Sequence, residues 1–299
     1  MTRRTLRSFP VTQALLNSAL NLTHFTYLHG AKYPDLSKHT ALKWIEMGWY
    51  RKVVPNCRHV HGLNQMLHGV RDHVEFLHFE SDITGINPEN PEGAVPPFKI
   101  GFNLPQMTKL KEFRNDMLNW FQCGVKLRDI STERIPTLQS LQLFNTETEL
   151  DGVLIRIVKK KDLFSGVKNL SVANVEDPKL ISALKSPFPK LERLSIMQIG
   201  NRGAEKLVEV GQHLAACAPL GLKHLELELS NELTNLSEFS EEVGNCGEFL
   251  KDLKTLDINL YDYVEDDLDL VQIGEGHFKE FLFAMKGLEN VTIDGVRGS

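Results

Sequence analysis

The chain has 299 residues, 41% of them hydrophobic and 24% charged, which places it in the ordinary soluble globular class. No run approaches the roughly 18 apolar residues of a membrane span, so no membrane association is expected. Net charge is −5 and unevenly spread: residues 1–73 carry ten Lys/Arg against three Asp/Glu, residues 224–294 four against eighteen. That balance argues against nucleic-acid binding by the C-terminal half, because a phosphate backbone needs cations opposite it.

The N-terminal stretch holds Arg3, Arg4 and Arg7 ahead of an amphipathic segment, with no acidic residue before Asp35. It reads either as a mitochondrial transit peptide or as an opening helix with Val11, Leu15 and Leu16 inward. LTHFTYL, from Leu22, reads as an irregular first strand. TALKWIEMGWY reads as a helix with Leu42, Trp44, Ile45, Met47 and Trp49 on a broad apolar face. CRHVH reads as a strand segment on which Cys57, His59 and His61 share a face, but the spacing is not that of a structural zinc site. No metal and no cofactor is expected.

From Val74 onward, apolar residues recur at positions 1, 4 and 6 of short segments: VEFLHF, LQSLQL, VKNLSV, LERLSI, LKHLEL, LKTLDI and LENVTI. LKEFRN, at Leu110 and Phe113, keeps two of the three. Successive first positions are 36, 28, 29, 24, 31, 31 and 35 residues apart. Units of this size cannot bury an apolar face alone, whereas stacked copies can.

Strands are predicted at 74–79, 138–143, 167–172, 191–196, 222–227, 253–258 and 288–293, all parallel. Between them lie stripes of helical spacing: Leu150, Val153, Leu154, Ile157 and Val158; Leu180, Ile181 and Leu184; Ala204, Leu207, Val208, Leu214 and Ala215. Two more are Val243, Cys246, Phe249 and Leu250, and Phe278, Phe281, Leu282 and Met285. INPENPEGAVPPF, over 86–98, is a proline-rich loop. The expected organisation is an irregular capping region over 1–73 followed by repeats over 74–299. Cys57, Cys123, Cys217 and Cys246 are scattered without pairing, which suits a reducing compartment and a cytoplasmic or nuclear location.

Segment and period resemble the leucine-rich repeat family, although the position-9 Asn or Cys is replaced by Thr146, Val175, Ile199, Ser230 and Tyr261. The resemblance implies an α/β solenoid, a horseshoe with parallel strands on the concave face and helices on the convex face. FPKLERLSI, after a helix and a proline turn, resembles the F-box/leucine-rich-repeat group, but no F-box is recognisable. That resemblance implies a non-enzymatic protein–protein interaction scaffold, a substrate receptor of a cullin-type ubiquitin ligase. The alternatives are a ribonuclease-inhibitor-like inhibitor or sensor of a basic protein, and a metalloprotein with its site in the N-terminal region.

No catalytic motif is recognised. Binding is expected from residues alternating with the buried leucines, which face the concave side. The candidates are Phe144, Arg193, His224, Glu226, Glu228, Thr255, Asp257, Asn259, Thr292 and Asp294. The late rows are acidic, so the expected partner is a protein with a basic segment. The last strand closes near Ser299 without a polar cap, which predicts dimerisation through that end or a longer native chain.

Overall fold

The computed structural model describes residues 5–28, 32–50, 57–82, 104–115, 130–143, 150–173, 175, 177–199, 210–230, 252–261 and 287–296. Ten strands belong to one sheet and follow chain order. They are β1 (His24–Leu28), β2 (Trp44–Tyr50), β3 (Phe76–Asp82), β4 (Glu112–Asn115), β5 (Ser140–Leu143), β6 (Asn169–Ala173), β7 (Arg193–Ile199), β8 (His224–Ser230), β9 (Thr255–Tyr261) and β10 (Asn290–Val296). All the strand pairs described are parallel. The chain forms two compact units, Met1–Leu143 with β1–β5 and Phe144–Ser299 with β6–β10.

Among the described residues there are five α-helices: α1 (Thr5–Ser18), α2 (Cys57–Val70), α3 (Leu150–Val158), α4 (Pro178–Ala183) and α5 (Val210–Cys217). This corrects the expected helix-packed leucine-rich-repeat horseshoe to a ten-strand parallel sheet with few helices. The described parts of the connections into β2, β4 and β5 are turns. Pro34, Pro105 and Pro136 stand in them, and proline removes the amide and fixes the φ that a helix interior needs.

Two local readings are also corrected. Trp44–Tyr50 is a strand, not a helix: Ile45 and Met47 are buried while Trp44 and Glu46 between them are half-exposed, a period of two. Cys57–His61 opens α2 rather than lying on a strand. The expected stripes at Val243–Leu250 and Phe278–Met285, the loop 86–98 and Phe144 lie outside the described residues. No helix among the described residues is long and apolar enough to cross a membrane.

The core is built from the 1-4-6 residues. Leu77, Phe79, Phe113, Leu141, Leu143, Leu170, Val172, Leu194, Ile196, Leu225, Leu227, Leu256 and Ile258 are all buried. Between β6 and β7, Phe164 and Phe188 stack with centroids 4.9 Å apart and both rings fully buried. Cys217 is buried and forms no disulfide.

A second regularity sits at position 2. Glu75 and Phe76 both donate their backbone N–H to Lys43 O, and Lys111 and Glu112 both donate to Glu75 O. The same pattern recurs at Lys168, Glu192, Lys223 and Lys254. Position 2 sets cations beside anions at Lys43–Glu75–Lys111, Lys168–Glu192–Lys223 and Lys254–Glu289, and there the side chains pair across strands. Lys43 and Lys111 both reach Glu75, and Lys168 and Lys223 lie 3.5 and 3.4 Å from Glu192. Lys254 lies 2.9 Å from Glu289. Each carboxyl is held below the usual range, Glu75 by hydrogen bonds from Lys111 and Lys43, Glu192 by the charges of Lys168 and Lys223. Glu75→Lys sets three cations in a row about 5 Å apart. The melting temperature should drop at low salt, and much of the loss should return near 1 M salt, where the Debye length is about 3 Å. A drop independent of salt would contradict the electrostatic account of the ladder.

Candidate functional site

Strand alternation leaves one side of each strand facing solvent. In the first unit, register aligns His24, Trp44, Phe76, Glu112 and Ser140 in one row. The next row is Thr26, Glu46, His78, Arg114 and Gln142. Neighbouring parallel strands sit about 4.8 Å apart, so side chains along a row touch.

The first row opens on aromatics. Trp44 stacks on Phe76 with centroids 5.0 Å apart, and His24 stacks on the far side of Trp44 at 6.0 Å. His78 meets the Trp44 ring edge-on at 4.5 Å. Trp44 and Phe76 remain half-buried, so part of an apolar ridge stays in contact with water.

Beside the ridge, His78 Nε2 and Glu112 Oε1 are 2.8 Å apart, and His78 is only 9% exposed. An ionised carboxylate only accepts, so Nε2 carries the hydrogen and donates it. That bond holds the Glu112 carboxyl below its usual range, with Arg114 adding its charge. The bond fixes the ring's orientation, the arrangement of a carboxylate-oriented imidazole. Ser140 is two strands from His78, about 10 Å away, so it does not complete a serine–histidine relay. Glu46 is half-buried and meets Thr26 Oγ1 at 3.4 Å, a long contact that leaves acceptor capacity. Glu80 and Arg114 stand 3.8 Å apart at the margin.

In the second unit, register sets Arg193 beside His224, His224 beside Thr255, and Thr255 beside Asn290. Ser195, Glu226, Asp257 and Thr292 form the next row, and Glu228, Asn259 and Asp294 the third. His224 Nδ1 and Thr255 Oγ1 are 2.8 Å apart, and Asn259 Nδ2 donates to Glu226 at 3.4 Å. The Glu228 carboxyl is pushed up by burial and by the Glu226 charge. The expected residues other than Phe144 thus share one side of β7–β10, and the side chain of Asp294 lies outside the described residues. The acidic run Asp262–Asp269 also lies outside them.

Reasoning from the sequence missed Trp44, Glu46, Glu112 and Arg114. The signal for the first pair was the alternation Trp44–Ile45–Glu46–Met47. For the second it was LKEFRN, whose third apolar position holds Asn115, a buried residue.

No protein-family model matches the chain. No curated protein matches it either. Among solved structures, it is similar to the arginine decarboxylase of Paramecium bursaria Chlorella virus, with 10% identity and a TM-score of 0.24. The likeness covers 98% of this chain and 62% of that one, so this chain spans less than two thirds of the enzyme's length. The expectation of a non-enzymatic interaction scaffold, and of a ubiquitin-ligase substrate receptor in particular, is corrected here. No family model and no curated relative stands behind it. At this score and identity the likeness assigns this chain no activity of its own.

Proposed function

We propose that the solvent-facing side of β1–β4 binds a small organic cation that carries a flat ring. The single observation behind this reading is the half-exposed Trp44–Phe76 stack bordered by the part-buried His78–Glu112 pair. An apolar ridge left in water beside fixed polar groups is the make-up of a recognition site rather than of a solvated strand face. The sign of the ligand follows from charge. Glu46, Glu80 and Glu112 face Arg114, three anions against one cation, so an anionic ligand is repelled. Glu46 lies on the same side of β2 as Trp44, two residues on, with acceptor capacity for an amidinium or ammonium group. His78 keeps Glu112 ionised and oriented.

Benzamidine and benzoate are near-isosteres of opposite charge. Calorimetric titration is expected to show millimolar or tighter binding of benzamidine, about −4 kcal/mol or better, and none of benzoate. Trp44→Ala and Glu46→Gln should each weaken benzamidine about tenfold, roughly 1.4 kcal/mol. Equal binding of the two probes, or benzamidine binding indifferent to Trp44→Ala, would overturn this reading.

For the second unit we infer that Glu226, Glu228 and Asp257 take a Lys/Arg-bearing segment of a partner. The support is Glu228, whose carboxyl is pushed up by burial and then by the Glu226 charge, both of which a bound cation offsets. Its check is binding of an oligolysine peptide that weakens as salt rises. Kinship of the strand segments with leucine-rich-repeat proteins is proposed at the level of sequence alone, on their shared 1-4-6 register. A cytoplasmic or nuclear location belongs to the same proposal, supported by four cysteines scattered along the sequence without a paired framework.

A further inference from the structure

The turns that lead into β2, β4, β5, β6 and β7 share one buried slot. Three residues before position 1 stand Met107, Ile135, Phe164 and Phe188, each fully buried. The carbonyl of each accepts the position-1 N–H, at 3.5, 3.2, 3.0 and 3.2 Å respectively. In the turn before β2 the same slot is filled by His39, whose carbonyl accepts from Leu42 N at 3.0 Å and whose side chain is 0% exposed. An imidazole thus stands where the equivalent turns place a hydrocarbon. Both His39 ring nitrogens lack a hydrogen-bond partner.

A second imidazole stands against it. His73, just past α2, bonds to the His39 backbone through its ring, and its Nε2 is buried without a partner. The charged groups around the pair come from several elements. Asp35 and Lys38 lie on the connection that holds His39. Lys43 borders β2, Asp72 follows α2, and Lys109 stands in the turn before β4. With Glu75, paired to Lys43, and Arg71, paired to Asp72, included, four cations against three anions do not compensate an added positive charge. A buried, unpaired imidazolium is costly, and the cost is relieved when the ring reaches water.

We propose that His39 and His73 form an acid-operated latch, whose protonation frees the connection over 32–43 from α2 and frees α1 with it. The connection is tied on both sides. On α2, a Cβ at Gly69 would lie 3.3 Å from Ser37 Cβ and 3.4 Å from the Ser37 backbone, so helix and connection are in close contact. On α1, Gln13 Nε2 donates to Asp35 O at 3.0 Å, and Asp35 N donates to Gln13 Oε1 at 2.9 Å. Releasing the connection therefore releases the α1 tether.

The sign follows from proton binding. Burial, then the Lys43 charge, lowers the pKa of His73 in the folded state. The released form binds the proton more readily, so the closed form is fully stable above the ordinary imidazole range, about pH 6.5, and loses stability as pH falls below it.

Hydrogen exchange on the full chain, followed by mass spectrometry and corrected for intrinsic rates, tests this at about pH 7.5 and about pH 5.5. Peptides over 32–43 should lose about tenfold in protection at the lower pH, equivalent to one pKa unit of differential protonation. Peptides over β6–β8 should keep theirs. His39→Met, which restores the side chain found in the slot at Met107, should hold the 32–43 protection at the lower pH; His39→Phe, matching Phe164 and Phe188, is the second variant. Equal protection of 32–43 at both pH values in the natural chain overturns the latch. So does an acid loss that survives both substitutions.

Discussion

Leu194→Asp is expected to unfold the second unit. Leu194 is fully buried at position 4 of β7, and register sets it between Leu170 of β6 and Leu225 of β8. Removing its side chain costs about 2–5 kcal/mol, and an unpaired carboxylate in its place costs about 3–5 kcal/mol more. Whole domains have only about 5–15 kcal/mol to lose. Circular dichroism in a urea series should show the variant largely unfolded without denaturant. An unchanged urea midpoint would mean that the 1-4-6 residues do not form the core.

Phe188→Ala should cost about 3–5 kcal/mol. The ring is fully buried and lies nearly parallel to Phe164, at 13° and 4.9 Å. Truncation therefore leaves a cavity and strips a stacking partner from Phe164, a contact worth about 1 kcal/mol beyond the area buried. Phe188→Leu fills most of that space and should lose about half as much. Equal stabilities for the two variants would show that the slot collapses around the smaller side chain.

The strand positions were legible because their signal is short-range and repeated. A leucine at positions 1, 4 and 6 must be inward if the segment is a parallel strand, and Leu191, Leu194 and Ile196 are. The sheet's first two strands were harder. WIEMGWY is so rich in apolar residues that its period of two reads equally as a broad helical face, and only the neighbour β3 decides between them. The stripes at Leu150–Val158, at 180–184 and at Leu214 and Ala215 fall on α3, α4 and α5, whereas the turn over 130–139 carries no such stripe and buries Ile130, Ile135 and Leu138 without forming an α-helix.

The solvent-facing rows of the second unit could be written down in advance, since register carries Glu226 to Asp257 and Thr292. The face in the first unit could not. Trp44 meets Phe76 across 32 positions of sequence and His78 meets Glu112 across 34, so no local pattern links them. His39 was invisible for another reason: only alignment of the turns shows that its slot elsewhere holds hydrocarbon.

The claim that the first unit carries a ligand site on β1–β4 is tested most directly by mapping benzamidine-induced shifts in the NMR spectrum of the isotope-labelled protein. The account predicts the largest shifts at the Trp44 indole and at Glu46, Phe76, His78 and Glu112. Largest shifts elsewhere, for example at Glu226 and Asp257, with Trp44 and His78 unmoved, would contradict it.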